Sequence, residues 1–302
     1  MLNIVWAKFD KSDQYNFGDD LTPYLFDKLT DEKYRYIKFA STRIQIIKQF
    51  ISGVLHKKIS INFFKCFIIA LFIKKYIVSI GSVLSAYSSS RCIVWGAGII
   101  SQNEKIRKSN FLAVRGNYTL NAIRKIGVNS QIVLGDPALL LPIIYKPIIR
   151  KKYKLGIIPH IIHYEFVKKN INNKEINIIN LNCSDSEKVI DEILSCEYTI
   201  STSLHGLIVS HSYGIKSLWY EINEIPLWGD GIKFYDYFSS VEIQEYTPFL
   251  FPKNIDFENI ILNIESNSNI NSIHIDLKVL QQKLLNVSPF KVRNEILENL
   301  ID

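Results

Sequence analysis

Nine apolar runs of four to six residues, separated by stretches with helical spacing, govern what this chain can fold into. They read NIVWA, YIVSIG, CIVWG, FLAV and QIVLG in the first half, then KLGIIP, INIINL, YTIST and KSLWY in the second. Runs this short and this apolar on both faces suit parallel strands covered by helices on two sides. The expected class is α/β. Between the two series lies PIIYKPIIRKKYKL, residues 142–155, whose two prolines and five basic residues read as a connector between domains.

A chain of 302 residues, 47% hydrophobic and 22% charged, can bury the cores of two such domains, which excludes disorder. Cys66, Cys92, Cys183 and Cys196 fall at neither metal-ligand nor disulfide-framework spacing, as expected in a reducing compartment. Met1 runs straight into LNIVWA without the basic start and apolar stretch of a secretion signal, so a cytoplasmic location is expected. Charge divides unevenly. Residues 1–150 hold 22 Lys and Arg against 9 Asp and Glu, whereas residues 151–302 hold 14 against 20. A basic first half points to an anionic partner there; compositional drift towards lysine is the other reading, though it does not explain why acids are scarce in only one half. That half also contains INFFKCFIIALFIKKYIVSI, residues 61–80, preceded by His56, Lys57 and Lys58. Its uncharged run, Cys66 to Ile73, is far short of the ~20 residues that cross a bilayer. Two readings stay open: an amphipathic helix resting on an anionic membrane surface, or a core helix.

Open α/β sheets bind ligands in the turns at their strand ends. Five turns here are small and glycine-bearing: NFGDD (with Asn16, Gly18, Asp19 and Asp20), GSVLS (Gly81, Ser82), GAG (Gly96, Gly98), GDPALL (Asp136) and STSLHG, residues 201–206. Glycine admits a ligand close to backbone, and a helix beginning after the turn offers free N–H groups to an anion. GAG lacks a third glycine and no GxxxxGK[ST] occurs, so neither dinucleotide nor P-loop binding has its motif. One of Asp19 and Asp20 is expected to cap the following helix. His205 stands between the strand EYTIST and an apolar helix ended by Gly214, where the helix dipole favours a neutral ring beside a bound anion. It serves either to carry a proton there or to cap its own turn. His211, on roughly the opposite helix face, is expected to pack. No histidines and carboxylates fall at metal spacing, so no metal is expected.

The blocks NFGDDLTPYLFDKL, GSVLS, VWGAGI, AVRGNYT, LGDPALLLP, LGIIPH, STSLHGLIVSHSYGI and KFYDYFSS run along most of the chain. In that order they resemble the polysaccharide pyruvyl transferases. The resemblance implies two Rossmann-like domains in a GT-B-like arrangement with the active site in the cleft between them. Residues 1–145 would form a basic domain facing acceptor and membrane, 146–288 a donor-binding domain, and 289–302 a helix packing back on the first. The implied reaction moves the enolpyruvyl group of phosphoenolpyruvate onto a sugar of a bacterial capsule or exopolysaccharide, or onto its lipid-linked precursor. The product is a pyruvate ketal. No cofactor and no nucleic acid is implied, and the place is the inner face of the cell membrane.

Within that resemblance His205 is the acid or phosphate partner, and Asp19 is the base for the acceptor hydroxyl. Many members carry arginine where Ser203 stands, and the serine-rich version resembles the subgroup related to succinoglycan pyruvylation. Arg115, His160 and Lys233 then become the groups expected to hold the donor's carboxylate and phosphate, together with Ser201, Ser203, Leu204 and Gly206. Around the acceptor or its loops are expected Asn16, Gly18, Gly81, Ser82, Gly96, Gly98, Asp136, Tyr235 and Tyr237. Tyr235, Tyr237 and Trp228 either stack on sugar or pack in a core. Two alternatives stay open: a GT-B glycosyltransferase with Glu221 or Glu224 on a nucleotide ribose, and a saccharide-binding protein without chemistry.

Overall fold

The computed structural model describes residues 1–8, 14–38, 40–56, 60–171, 173–252 and 256–300; Lys57 and Lys58 lie outside them. Six strands form the first sheet: β1 (Leu2–Val5), β2 (Tyr34–Tyr36), β3 (Tyr76–Val78), β4 (Cys92–Trp95), β5 (Asn110–Val114) and β6 (Val133–Leu134). Five form the second: β7 (Tyr153–Ile158), β8 (Ile176–Ile178), β9 (Cys196–Ser201), β10 (Ser217–Glu221) and β11 (Phe249–Leu250). The orders are β2-β1-β3-β4-β5-β6 and β11-β10-β9-β7-β8, and every pair is parallel. Both sheets therefore follow one doubly wound pattern, in which the chain starts inside, steps to one side, then returns past its start to the other.

Helices occupy the connections: α1 (Phe17–Leu29), α2 (Arg43–Leu55), α3 (Ile61–Phe72), α4 (Leu84–Tyr87), α5 (Asn117–Arg124), α6 (Leu141–Ile144), α7 (Tyr164–Asn170), α8 (Ser186–Leu194), α9 (Leu204–Ser212) and α10 (Ile232–Ser240). After β11 come α11 (Phe257–Ser266), α12 (Leu277–Asn286) and α13 (Asn294–Glu298). All nine runs read as strands form strands. β2 and β11 were missed because Tyr-Arg-Tyr and Phe-Leu are too short to carry a pattern, and each sits at a sheet edge.

α1 forms because Phe17, Leu21, Leu25, Phe26 and Leu29 recur at helical spacing and are buried, while Asp19 and Asp20 suit the positive end of its dipole. Of the two acids, Asp20 does the capping: its Oδ2 accepts the Asn16 N–H at 3.3 Å. One apolar core runs from the first sheet through α1 and the Pro137–Leu140 turn into α9 and the second sheet. The C-terminal segment returns to the first half. Trp95 Nε1 donates to the Leu284 carbonyl at 3.0 Å, Phe290 packs on Phe26 and Trp95, and Arg293 N–H donates to the Leu29 carbonyl at 2.9 Å.

A buried ion pair fastens the two halves on their other side. Arg115, just after β5, is fully buried and reaches Asp236 of α10 at 3.0 Å. Asp236 also accepts the Thr119 N–H at 2.8 Å and the Thr119 hydroxyl at 2.6 Å, so a carboxylate of one half caps α5 of the other. Truncating either Arg115 or Asp236 to Ala leaves its partner charged and buried, so each is expected to cost about 3–5 kcal/mol in chemical denaturation.

His211 packs, as its helical position suggested. Its Nε2 donates to the Ser217 carbonyl at 3.0 Å, so Nδ1 is left to accept from the Tyr237 hydroxyl at 3.1 Å. Burial pushes its pKa down from 6.5 to about 4. Folded His211 is thus harder to protonate than unfolded His211, and its contribution is complete above pH 6.5 and is lost as pH falls towards 4. His211→Asn is expected to lower stability by about 1–3 kcal/mol at pH 8 and to weaken the acid dependence of the melting temperature.

Candidate active site

In a doubly wound sheet the loops leaving two neighbouring strands diverge, and the crevice between them at the carboxyl edge is where ligands sit. Here those neighbours are β1 and β3 in one sheet and β7 and β9 in the other. The turn after β1 leads to Asn16, Gly18 and Asp19, and that after β3 supplies Gly81 and Ser82. β7 and β9 supply His160, His163, Thr202, Ser203 and His205. α1, which follows β1, and α9, which follows β9, meet at a close approach. A Cβ on Gly18 would stand 2.1 Å from Nδ1 of His205, so only glycine lets the imidazole seat against α1.

His205 keeps 12% of its side chain exposed and turns Nε2 inward to Asp136 Oδ2, 3.8 Å away. Neither atom has a hydrogen-bond partner among the described residues. Asp136 is fully buried, and its Oδ1 caps the turn at the Ala138 N–H at 3.0 Å. Nδ1 is the nitrogen left toward the first turn of α1, where Asp19 stands.

Asn16 Nδ2 donates to Asp19 Oδ2 at 2.6 Å. Burial raises the Asp19 pKa from 3.8 to about 6, against the opposing pull of His205, Asn16 and Lys233. Lys233, at the start of α10, has neither an ion-pair nor a hydrogen-bond partner among the described residues; its ammonium rests 5.4 Å from the Phe234 ring centroid. Burial, then the charge of Arg115, brings its pKa down from 10.5 to about 8. His160 is held at about 3 by burial, then by Lys233, His163 and His205, so its ring stays neutral. Asp19, His160 and Lys233 thus feel one another's charges or that of His205.

Several expected residues stand behind these groups. Arg115 spends its guanidinium on Asp236, on Ser82 Oγ at 2.6 Å and on the Ile99 carbonyl at 2.6 Å. Its charge reaches the site only through space. Gly98 makes room for it, since a Cβ there would lie 2.4 Å from the guanidinium carbon. Ser201 is likewise committed: its hydroxyl has the Ile158 and Ser203 carbonyls, each at 2.8 Å, as acceptors for its one proton and accepts the Ser203 N–H at 3.0 Å. Leu204 and Gly206 are buried in the same turn, and Gly96 packs on Pro137. Tyr237 lies at 0% exposure in the core with His211, so packing, not stacking on sugar, is its role. Tyr235 differs, because it lines a cavity of ≈ 380 Å³ with Glu221, Trp228, Asp230 and Lys233.

Sequence reasoning missed His163, Thr202 and Asp236. His163 is buried, and its Nε2 donates to the Ile225 carbonyl at 2.7 Å, leaving Nδ1 to accept the Thr202 hydroxyl at 2.7 Å. Thr202 in turn accepts the His160 N–H at 2.8 Å, which fixes the turn carrying His160. The only sequence signal was a second histidine in PHIIH. For Asp236 it was a lone acid within the aromatic KFYDYF, since a buried carboxylate needs a cation.

A sequence model of the family described as polysaccharide pyruvyl transferase matches residues 3–224 of this chain. The chain belongs to the polysaccharide pyruvyl transferase family. Membership makes it a transferase of pyruvyl groups with a saccharide acceptor. It is also 30% identical over 215 residues to an uncharacterised protein of Acanthamoeba polyphaga mimivirus, covering 68% of this chain and 72% of that one. The family match ends before α10, so Lys233 and Asp236 lie outside the matched residues.

Asp19 offers a test that separates site from scaffold. Its carboxyl is harder to ionise folded, at about 6, than unfolded, near 3.8, so stability is lost as pH rises between those values and stays lost above them. Asp19→Asn is therefore expected to raise the melting temperature at pH 8 while lowering turnover by about a hundredfold or more. Gly18→Ala is expected to lower turnover comparably by displacing His205, with the far-ultraviolet circular dichroism unchanged.

Proposed function

We propose that this pyruvyl transferase takes phosphoenolpyruvate as donor and closes a pyruvate ketal on a saccharide. The two sheets would act as halves of a GT-B-like enzyme, residues 1–145 facing the acceptor and 146–288 the donor, with the C-terminal stretch 289–302 bracing the first half. The observation that carries this reading is the half-buried ammonium of Lys233, which no carboxylate among the described residues meets at ion-pair distance, and whose charge acts on both Asp19 and His160. A donor bearing a carboxylate and a phosphate supplies the missing negative charge. The ≈ 780 Å³ cavity beside the loop after β1 is a poor rival, because four carboxylates, Asp20, Asp27, Asp185 and Glu187, line it against the one cation Lys8 and would repel such a donor.

The chemistry balances with the groups at hand. A proton delivered to the methylene carbon of the donor makes an oxocarbenium-like centre at the carbon bearing phosphate. One acceptor hydroxyl adds there and loses its proton; a second then displaces phosphate and closes the ring, and its proton leaves with the base or the phosphate. His205, its Nε2 backed by Asp136 and its Nδ1 facing the site, carries the proton or contacts the phosphate. Asp19, ionised above about pH 6, is the base for the acceptor hydroxyl. His160, neutral and set by Thr202, adds a hydrogen bond without a competing charge. Tyr235 and Trp228 offer aromatic surface to the acceptor sugar in the cavity next to Lys233.

Two results are expected. Phosphate release from phosphoenolpyruvate with acceptor should rise with pH through about 6 as Asp19 ionises, and fall through about 8 as Lys233 loses its proton. Lys233→Met should raise the donor KM at least tenfold and leave or raise the melting temperature, since it removes a half-buried cation that no carboxylate among the described residues meets at ion-pair distance. A donor KM unchanged in Lys233→Met, or stabilisation by uridine diphosphate sugars in place of phosphoenolpyruvate, would overturn the reading.

A further inference from the structure

The α2–α3 segment is an antiparallel hairpin with an unexplained outer face. Thr42 and Ser60 cap the two helices, and Phe50 stacks on Phe67 and Phe63 at centroid distances of 4.0 and 5.7 Å. Gly53 lies against Phe63, while Ile46 and Ala70 are buried. Going back from Gly53 to Phe50 on α2, the partner moves on from Phe63 to Phe67 on α3, as in an antiparallel pair. Arg91 ties the open end, donating to the Ala70 and Ile73 carbonyls at 2.8 and 3.2 Å and to the Ser41 carbonyl at 2.7 Å.

With those residues turned inward, Ile44, Ile47, Ile51 and Leu55 of α2 and Ile61, Phe64, Ile68 and Phe72 of α3 turn outward at helical spacing. Ile44 is 68% exposed, Ile61 78% and Phe72 72%. Half of the exposed large apolar side chains among the described residues sit on these two helices. A patch of this kind needs a partner. Its surroundings say which. Not one Asp or Glu occurs between Glu32 and Glu104, whereas eleven Lys and Arg do. Arg43, Lys48, Lys65, Lys74 and Lys75 are all exposed on or beside the hairpin. An acidic protein could match that charge, but a fluid surface that is apolar within and anionic at its rim matches both stripes and lysines at once. Among the described residues no helix is long and apolar enough to cross a membrane.

We propose that the α2–α3 hairpin lies flat on an anionic lipid bilayer, its isoleucines and phenylalanines inserted at the headgroup boundary and its lysines among the headgroups. The proposal is independent of the reaction, and its test needs no substrate. The whole protein is mixed with vesicles of phosphatidylglycerol or of phosphatidylcholine and floated on a density gradient at low and high salt. Wild type is expected to float with phosphatidylglycerol, less at high salt and least with phosphatidylcholine. The double variant Ile51→Glu/Phe64→Glu should lose at least tenfold of the floated fraction, whereas Leu262→Glu, an equally exposed apolar site in the second half, should keep it. Lys48→Glu/Lys65→Glu, which leaves the apolar stripe intact, should lose mainly the salt-sensitive part. Wild type remaining at the bottom with both lipids would overturn the proposal. So would Ile51→Glu/Phe64→Glu floating like wild type, or a dimer in sedimentation that this variant breaks.

Discussion

Arg115 and Asp236 form an ion pair with no exposed surface, and the placement of the site depends on it. Two charges taken out of water are tolerated only when every donor and acceptor is met, and breaking such a pair costs more than making it gains. Here Asp236 meets Arg115, the Thr119 amide and the Thr119 hydroxyl, while Arg115 meets Ser82 and the Ile99 carbonyl. The pair thereby fixes three things together: the turn after β3, the start of α5, and α10 of the opposite half. Lys233 lies one helical turn before Asp236 on α10, so the clamp also aims the lysine. On the other side α1 and α9 meet through Gly18 and His205. Asp19, His205 and Lys233 each stand on, or within three residues of, one of these fastenings.

Its electrostatics follow from burial more than from pairing. Asp19, His160 and Lys233 are each pushed toward the uncharged form, first by desolvation. A protein designed only for stability would pair or replace such groups. The cation lacks an ion-pair partner among the described residues and the acid titrates at about 6, the kind of perturbed pair found at functional sites. Arg115 contributes to this at a distance, by lowering the lysine's affinity for its proton.

How much of this could be seen in the sequence varies with the range of the forces involved. The seven central strands were legible because burial on both faces imposes a dense apolar run, and the edge strands β6 and β8 because apolar residues flank them (QIVLG, INIINL); β2 and β11, edges whose Tyr-Arg-Tyr and Phe-Leu lack such a run, carry no imprint. Asn16, Gly18, Asp19, His160, His205 and Lys233 were legible as turn or helix-start residues of reactive type, and the structure brings them together. Arg115 was misjudged because a sequence shows a charge but not its partner 121 positions away. Tyr237 fails for the converse reason, since an aromatic ring looks the same whether it lines a pocket or, as here, hydrogen-bonds a buried histidine. The relay from His163 through Thr202 to His160 joins two loops and left only a repeated histidine as its trace.

The central claim is that an anionic donor binds between these two fastenings against Lys233. A crystal structure of the wild-type protein soaked with phosphoenolpyruvate tests it most directly. The account requires the donor's carboxylate and phosphate to contact Lys233 Nζ and to lie beside His205, with Asp19 facing the carbon that receives the acceptor. Phosphoenolpyruvate bound in another cavity while Lys233 stays without an anion would contradict it.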